Sequence, residues 1–311
     1  LLRLSEGRAF WYQRIHHLAT DGFGIVLLTN RVGEIYSALC QGHPPPPPFP
    51  PLDQVLAEDA AYRASDRRTT DAAFWREDLR GLDHVASPAR GRAVSAHRFD
   101  RARCDLPPAT RDLLLVRAKE MGVGWPDLLT VLTAAYLSRV SGEGDRVWGL
   151  PFMARMGTRA ARVPAMWMNV LPFRCDPDPD APLAQVVAEA TARLARLRRH
   201  GRYRAEQMRR DLRRSAMEAR LYGPMINVQP FDMPPRFAGL EVGLHILGAG
   251  AVDDLTVTYR GDALRALSLE VDSNPTLYTA AEGQAQCDRL AGYLGRALLA
   301  DRLADVPLMD A

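Results

Sequence analysis

The chain has 311 residues, enough for two packed lobes rather than one ordinary domain. A hydrophobic fraction of 47% beside 25% charged residues excludes a disordered chain, and a net charge of +3 is too small to imply nucleic acid. No apolar run reaches membrane-spanning length, and Cys40, Cys104, Cys175 and Cys287 form no CxxC pair. That spacing argues against a zinc ribbon or a disulfide scaffold and leads to the expectation of a reducing, cytoplasmic setting.

The opening LLRLSEGRAFWYQ has no secretory pattern and reads as the middle of a strand, so a boundary inside a longer protein is expected. Residues 8–15 (RAFWYQRI) are apolar or aromatic on both parities, the pattern of a strand buried on both faces. After the HHLATDG turn, Ile25, Leu28, Val32, Ile35, Tyr36 and Leu39 fall at helical spacing, and the helix stops at Gly42. Pro44 to Pro48 form a stiff connector between lobes; a partner-binding role is the lesser reading. Residues 52–81 read as charged helix, with Phe74 and Trp75 anchoring a face to the core. A strand is expected over Arg98–Leu106, then an amphipathic helix after Pro107 and Pro108. The next helix, from near Pro126, carries an almost all-round apolar set from Leu128 to Leu137 and should be buried.

Arg146–Phe152 and Ala165–Arg174 read as strands, and Pro182 opens a long helix whose core face is Leu183, Val186, Val187, Ala190, Leu194 and Leu197. Alternation predicts strands over Leu240–Leu247, Leu255–Tyr259 and Leu267–Val271, the last two joined by the turn RGDALR. A helix over about Ala280–Leu299 closes the chain. There is no repeat and no regular βαβ alternation, which favours an α+β fold over a doubly wound sheet.

One constellation carries chemistry: His16, His17, Asp21 and Gly22, spelling HHxxxDG between a strand and a helix. Adjacent strand residues point to opposite faces, so the two histidines cannot easily clasp one metal ion. A structural reading, with Asp21 capping the next helix, accounts for the Asp-Gly pair but not for two histidines at that place. A catalytic reading gives one imidazole an attacking amine to bind or deprotonate, beside helix-start amides able to face an oxyanion.

WYQRIHHLATDGFG resembles the signature of nonribosomal peptide synthetase condensation domains, whose fold is similar to that of chloramphenicol acetyltransferase. LAEDAAYRASDRRTTDAAFWREDL, GLPFMARMG, VPAMWMNVLPFRC, GPMINVQPFD and AVDDLTVTY resemble further segments of that family, in its order. The likeness covers essentially the whole chain, and RRHGRYRAEQ resembles the branch that joins dihydroxybenzoyl to serine in enterobactin synthesis. It implies a two-lobed pseudodimer with mixed sheets and helices: residues 1–50 as the end of the N-terminal lobe and 51–311 as the C-terminal lobe. The latter would hold a floor loop (about 149–175) and latch and bridge strands (about 224–275). Most of the N-terminal lobe precedes the HH motif in the family, so the donor-side wall is expected to lie outside this chain.

The resemblance further implies an acyltransferase forming an amide between two carrier-bound substrates. His17 would be catalytic, as general base or as a group that positions the amine, with His16 supporting. Asp21 would be structural, bridging to Arg155, and Gly22 would line the channel junction. Trp167 and Asn169 would line the substrate tunnel. No cofactor or metal would bind directly; the phosphopantetheine arms of donor and acceptor carrier proteins would deliver the substrates, and adjacent synthetase domains would be further partners. Neither nucleic acid nor membrane is expected as a partner.

The arginines at 193, 196, 198, 199, 202, 204, 209, 210, 213 and 214 form a dense basic stretch. It reads first as a solvated helix face and second as a surface for an acidic carrier or its phosphate. Rival functions are an epimerisation domain, which shares HHxxxDG, a free-standing acetyltransferase, and a carrier-docking platform without catalysis.

Overall fold

A computed structural model of the protein describes residues 1–91, 95–212, 220–230, 234–248 and 250–309. The chain divides into two units, one assembled from Leu1–Arg63, Met153–Met168 and Pro234–His245, the other from Ala64–Phe152, Asn169–Met233 and Ile246–Ala311.

The first unit opens with a hairpin in which β1 (Leu2–Ser5) pairs antiparallel with β2 (Arg8–Phe10), Leu2 opposite Phe10. This corrects the expectation of a doubly buried strand over 8–15: the strand is three residues long and exposed throughout. A two-stranded ribbon has no second sheet layer to lie against, and Phe10, Trp11 and Tyr12 remain 45%, 41% and 58% exposed.

α1 (Gly22–Cys40) begins at its cap, Asp21, and ends before Gly42, whose φ of +72° favours glycine. Within it, Gly33 packs on the Arg236 carbonyl so closely that a Cβ there would sit 2.4 Å from the oxygen. Arg31 holds the proline connector to this helix, its guanidinium 4.2 Å over the Phe49 ring and its Nη1 donating to the Pro47 carbonyl. α2 (Asp53–Arg63) contributes Val55 to a small apolar cluster with Ala160, Val163, Ala165 and Trp167.

α3 (Asp66–Asp78) follows a break at Ser65, whose backbone is extended, so the helical stretch expected over 52–81 is two helices. Trp75 is buried, its Nε1 donating to the His200 carbonyl at 2.9 Å, and Phe74 stacks on the His200 ring at 4.0 Å. The second unit continues through β3 (Asp100–Asp105), α4 (Pro108–Glu120), α5 (Trp125–Val140), β4 (Val147–Phe152), β5 (Asn169–Arg174), α6 (Leu183–Arg199), α7 (Ala205–Asp211), β6 (Met225–Gln229), β7 (Leu255–Asp262), β8 (Ala266–Ser273) and α8 (Ala280–Ala297).

Six of these strands form one mixed sheet, in the order β3-β8-β7-β6-β4-β5. β7 and β8 are antiparallel from Leu255 opposite Ser273 to Asp262 opposite Ala266, and β6 runs parallel to both its neighbours. At their turn Gly261 has φ +113°, with the Ala266 carbonyl 2.3 Å from where a Cβ would stand. Every residue of α5 from Leu128 to Leu137 is buried. Its two interior threonines remain satisfied by donating to the Pro126 and Leu129 carbonyls. α6 buries the six residues read from its periodicity.

Two strand expectations change. Over Leu240–Leu247 there is no strand, only an isolated bridge between Phe237 and Leu240. Alternation describes side chains, but a strand also needs a neighbour for its amides and carbonyls, and none lies alongside. β5 begins at Asn169 rather than Ala165, because the amides just before it are spent on Asp21. Arg213, Arg214, Phe231 and Asp232 lie outside the described residues.

Candidate active site

The site is built around a carboxylate. Asp21 caps α1: its backbone is extended (φ −95°, ψ 179°) and its Oδ1 accepts the Gly24 amide at 2.8 Å. A cap normally faces water, yet Asp21 is 1% exposed. Its charge is met by Arg155, equally buried, whose Nη2 donates to Oδ1 at 2.8 Å and to Oδ2 at 2.9 Å. Oδ2 also accepts the amides of Trp167 (3.0 Å) and Met168 (2.9 Å).

Arg155 also uses its two Nη groups on the loop that carries it. Nη1 donates to the carbonyls of Ala160 and Val163, and Nη2 to that of Ala165. The guanidinium carbon lies 5.4 Å from the Phe23 ring centre. Ala154, just before it, is held at φ +51°, a strained conformation for a residue with a Cβ, and its carbonyl accepts the Trp167 indole at 3.0 Å. One buried ion pair therefore ties the start of α1 to both ends of the 154–168 loop.

The histidines ride on this rigid base. His16, His17, Leu18 and Ala19 precede Asp21 as an exposed turn, closed by the Ala19 amide donating to the His16 carbonyl at 2.9 Å. The Leu18 amide donates to His16 Nδ1 at 3.1 Å, so the neutral His16 ring carries its proton on Nε2. His17 is exposed, and neither ring nitrogen holds a hydrogen bond with any described residue. Gly22 is also exposed, and a Cβ on it would meet nothing within 4 Å.

Gly24, which the sequence reading passed over, is the sterically required glycine. A Cβ there would stand 2.0 Å from Thr20 Oγ1 and 3.2 Å from the Ala165 carbonyl. The signal was present as DGFG, a second glycine in the first helical turn. The backbone amides of Trp167 and Met168 were missed as well, because no residue type announces a main-chain donor.

Trp167 is buried, packed in the apolar cluster of the first unit. Asn169 belongs to the second unit, and all its polar capacity is used there. Its Nδ2 donates to the carbonyls of Gly201 (2.9 Å) and Tyr203 (2.7 Å), and its Oδ1 accepts the amides of Val170 and Ala205. It clamps the loop between α6 and α7. Gly201 in that loop presses on Phe152, whose ring would lie 2.3 Å from an added Cβ. Burial, and then the hydrogen bond to Asp211, push the Tyr203 phenol up to about 12. In the arginine stretch, Arg193 is paired with Asp78 and Arg198 with Asp127, while Arg196 and Arg199 are exposed.

A mixed six-stranded sheet with helices packed on it in the second unit, and a histidine turn on a buried Asp–Arg pair in the first, make an α+β fold of the chloramphenicol acetyltransferase kind. The condensation domain family matches residues 1–300, and the chain belongs to it. It is 38% identical over 302 residues to the isonitrile lipopeptide synthase of Streptomyces coeruleorubidus, covering 96% of this chain and 20% of that protein. Enterobactin synthase component F of Escherichia coli O157:H7 is 35% identical over 283 residues, covering 89% of this chain and 22% of that one.

The first condensation domain of the calcium-dependent antibiotic synthetase, solved with a substrate analogue, superposes with a TM-score of 0.87 at 28% identity. That match covers 95% of this chain and 66% of the solved one. VibH, a condensation enzyme of nonribosomal peptide synthesis, superposes with a TM-score of 0.80 at 30% identity, covering 91% and 66%. The chain thus spans about a fifth of these synthases and about two thirds of the solved domains. No helix among the described residues is long and apolar enough to cross a membrane.

Proposed function

We propose that this domain forms an amide bond between an acyl or peptidyl thioester on a donor carrier protein and an aminoacyl group on an acceptor carrier. The observation that carries this reading is the division of labour in HHxxxDG: Asp21 is wholly consumed in the fold, whereas His17 is exposed with both ring nitrogens unused by any described residue. A thioester is already activated, so the protein needs to align two tethered substrates and manage one proton. The acceptor amine attacks the thioester carbonyl, the C–N bond forms, and the C–S bond breaks with release of the donor's phosphopantetheine thiol. His17 accepts the amine proton or holds the amine in line, and returns the proton to the departing sulfur. His16 supports that turn through its bond to the Leu18 amide. Asp21 and Arg155 fix the turn's position, and Gly22 leaves an open surface where a Cβ would otherwise project. Trp167 and Asn169, expected to line the substrate tunnel, would act through the loop that each holds in its own unit.

Substrates arrive on phosphopantetheine arms, and the domain needs no cofactor of its own. The exposed Arg196 and Arg199 suit an acidic carrier surface or the arm's phosphate. The resemblance of RRHGRYRAEQ to the enterobactin branch, with enterobactin synthase component F among the relatives, favours an aryl acyl donor in siderophore-type synthesis. The test is single-turnover transfer by intact-protein mass spectrometry, in the full synthetase protein, from a dihydroxybenzoyl-loaded carrier to a seryl-loaded one. Transfer lost in His17→Ala at unchanged fold and carrier binding is the expected result. No transfer from any of a panel of acyl donors, with carriers still bound, would leave only a docking platform.

A further inference from the structure

Cys104 and Cys287 play no part in the site described above. Cys104 lies on β3, an edge strand of the large sheet, and Cys287 on α8, the helix packed against β3 and β8. Their Sγ atoms are 3.6 Å apart, and the Cys287 sulfur is also 3.9 Å from the Leu269 carbonyl. Cys287 is fully buried and Cys104 half-buried, so one member of the pair is reachable from solvent. The hydrogen bond from the Cys287 thiol lowers the pKa of Cys104, and the same bond, followed by burial, raises that of Cys287. The accessible sulfur is therefore the one that favours the thiolate, the reactive form.

We propose that Cys104 and Cys287 are a reversible modification site, a thiol pair that closes to a disulfide by exchange with a small disulfide such as oxidised glutathione. The Cys104 thiolate attacks one glutathione sulfur, the glutathione S–S bond breaks, and the first glutathione leaves and takes up the proton shed by Cys104. Cys287 then attacks the Cys104 sulfur of the mixed disulfide, and the second glutathione leaves with the Cys287 proton. The cysteine pair is oxidised by two electrons and oxidised glutathione is reduced to two glutathiones. The sulfurs have to close only from 3.6 Å to a bonded distance of about 2.05 Å. The product ties α8 to the sheet edge across most of the second unit's sequence, a long loop that constrains the unfolded chain. The other two cysteines serve as internal controls: Cys40 is exposed, and burial pushes the Cys175 thiol up to about 12.

The test titrates the Cys40→Ser protein with oxidised glutathione, traps free thiols and maps peptides without reduction. The expected result is loss of two hydrogens, one linked Cys104–Cys287 peptide, and a melting temperature that rises and returns with dithiothreitol. Cys104→Ser shows none of these, and Cys287→Ala stops at a glutathione adduct on Cys104. An adduct persisting on Cys104 in the Cys40→Ser protein, an unmodified Cys104, or a linked form that melts lower overturns the proposal. Mapping on the Cys40→Ser protein decides it even if a second variant fails to fold.

Discussion

Replacing Asp21 with alanine should loosen the first unit selectively. The substitution strips the acceptor from the amides of Gly24, Trp167 and Met168 and leaves the Arg155 guanidinium, 1% exposed, without its counter-charge. Each orphaned amide costs about 1–3 kcal/mol, and removing one partner of a buried ion pair about 3–5 kcal/mol. These overlap, because one local collapse relieves them together. About 3–5 kcal/mol is therefore the working figure, against a total stability of about 5–15 kcal/mol.

Hydrogen exchange read by mass spectrometry gives the assay, since the affected amides are themselves reporters. At 1.4 kcal/mol per tenfold, residues 165–168 should exchange about a hundred- to a few thousand-fold faster, and the first turn of α1 likewise. Peptides from α5 and β8 should keep their protection. Asp21→Asn should lose less, since its remaining oxygen still serves Gly24 and Arg155 while its amide nitrogen faces three donors, the Trp167 and Met168 amides and Arg155 Nη2. Less than about a tenfold change at 165–168, or equal loss in α5 and β8, would refute the view that this ion pair organises the loop.

Further outcomes follow from individual contacts. Gly22→Ala meets no neighbour and replaces glycine in the first turn, so stability should hold or rise by about 0.5–1 kcal/mol in urea unfolding. A fall in condensation rate would then report a blocked channel. Gly24→Ala, two residues on, should destabilise by about 1–3 kcal/mol because Thr20 and the Ala165 backbone fill the space. Asn169→Leu leaves four backbone groups without their partner and should cost about 2–4 kcal/mol, visible as a lower urea midpoint and faster cleavage of the 200–204 loop by trypsin. Burial raises the Asp254 carboxyl above its usual 3.8, so the folded state holds that proton more tightly than the unfolded chain. This contribution is fully present below about pH 3.8 and is lost as pH rises through the raised value. Asp254→Asn keeps the bond from the Tyr278 hydroxyl without the buried charge. Its urea midpoint at pH 7 should equal or exceed that of the parent, with the difference shrinking toward pH 4; a variant weaker at every pH would contradict this.

Much was legible in the sequence wherever a pattern is local. The buried face of α6, the burial of α5 and the β7–β8 hairpin follow from periods of 3.6 and 2, which the backbone imposes on any chain. The HHxxxDG turn and its aspartate cap were likewise readable, because a cap is satisfied within three residues. Tertiary structure alone decided the rest. The exposure of Arg8–Phe10 and the absence of a strand at Leu240–Leu247 depend on which neighbours exist, and apolar alternation does not record that. Only the fold could show that the Asp21 carboxylate draws its partners from Arg155, Trp167 and Met168, more than 130 residues away, two of them through main-chain amides. Sequence names the groups able to bond at short range; long-range pairing depends on chain closure, which no local pattern contains.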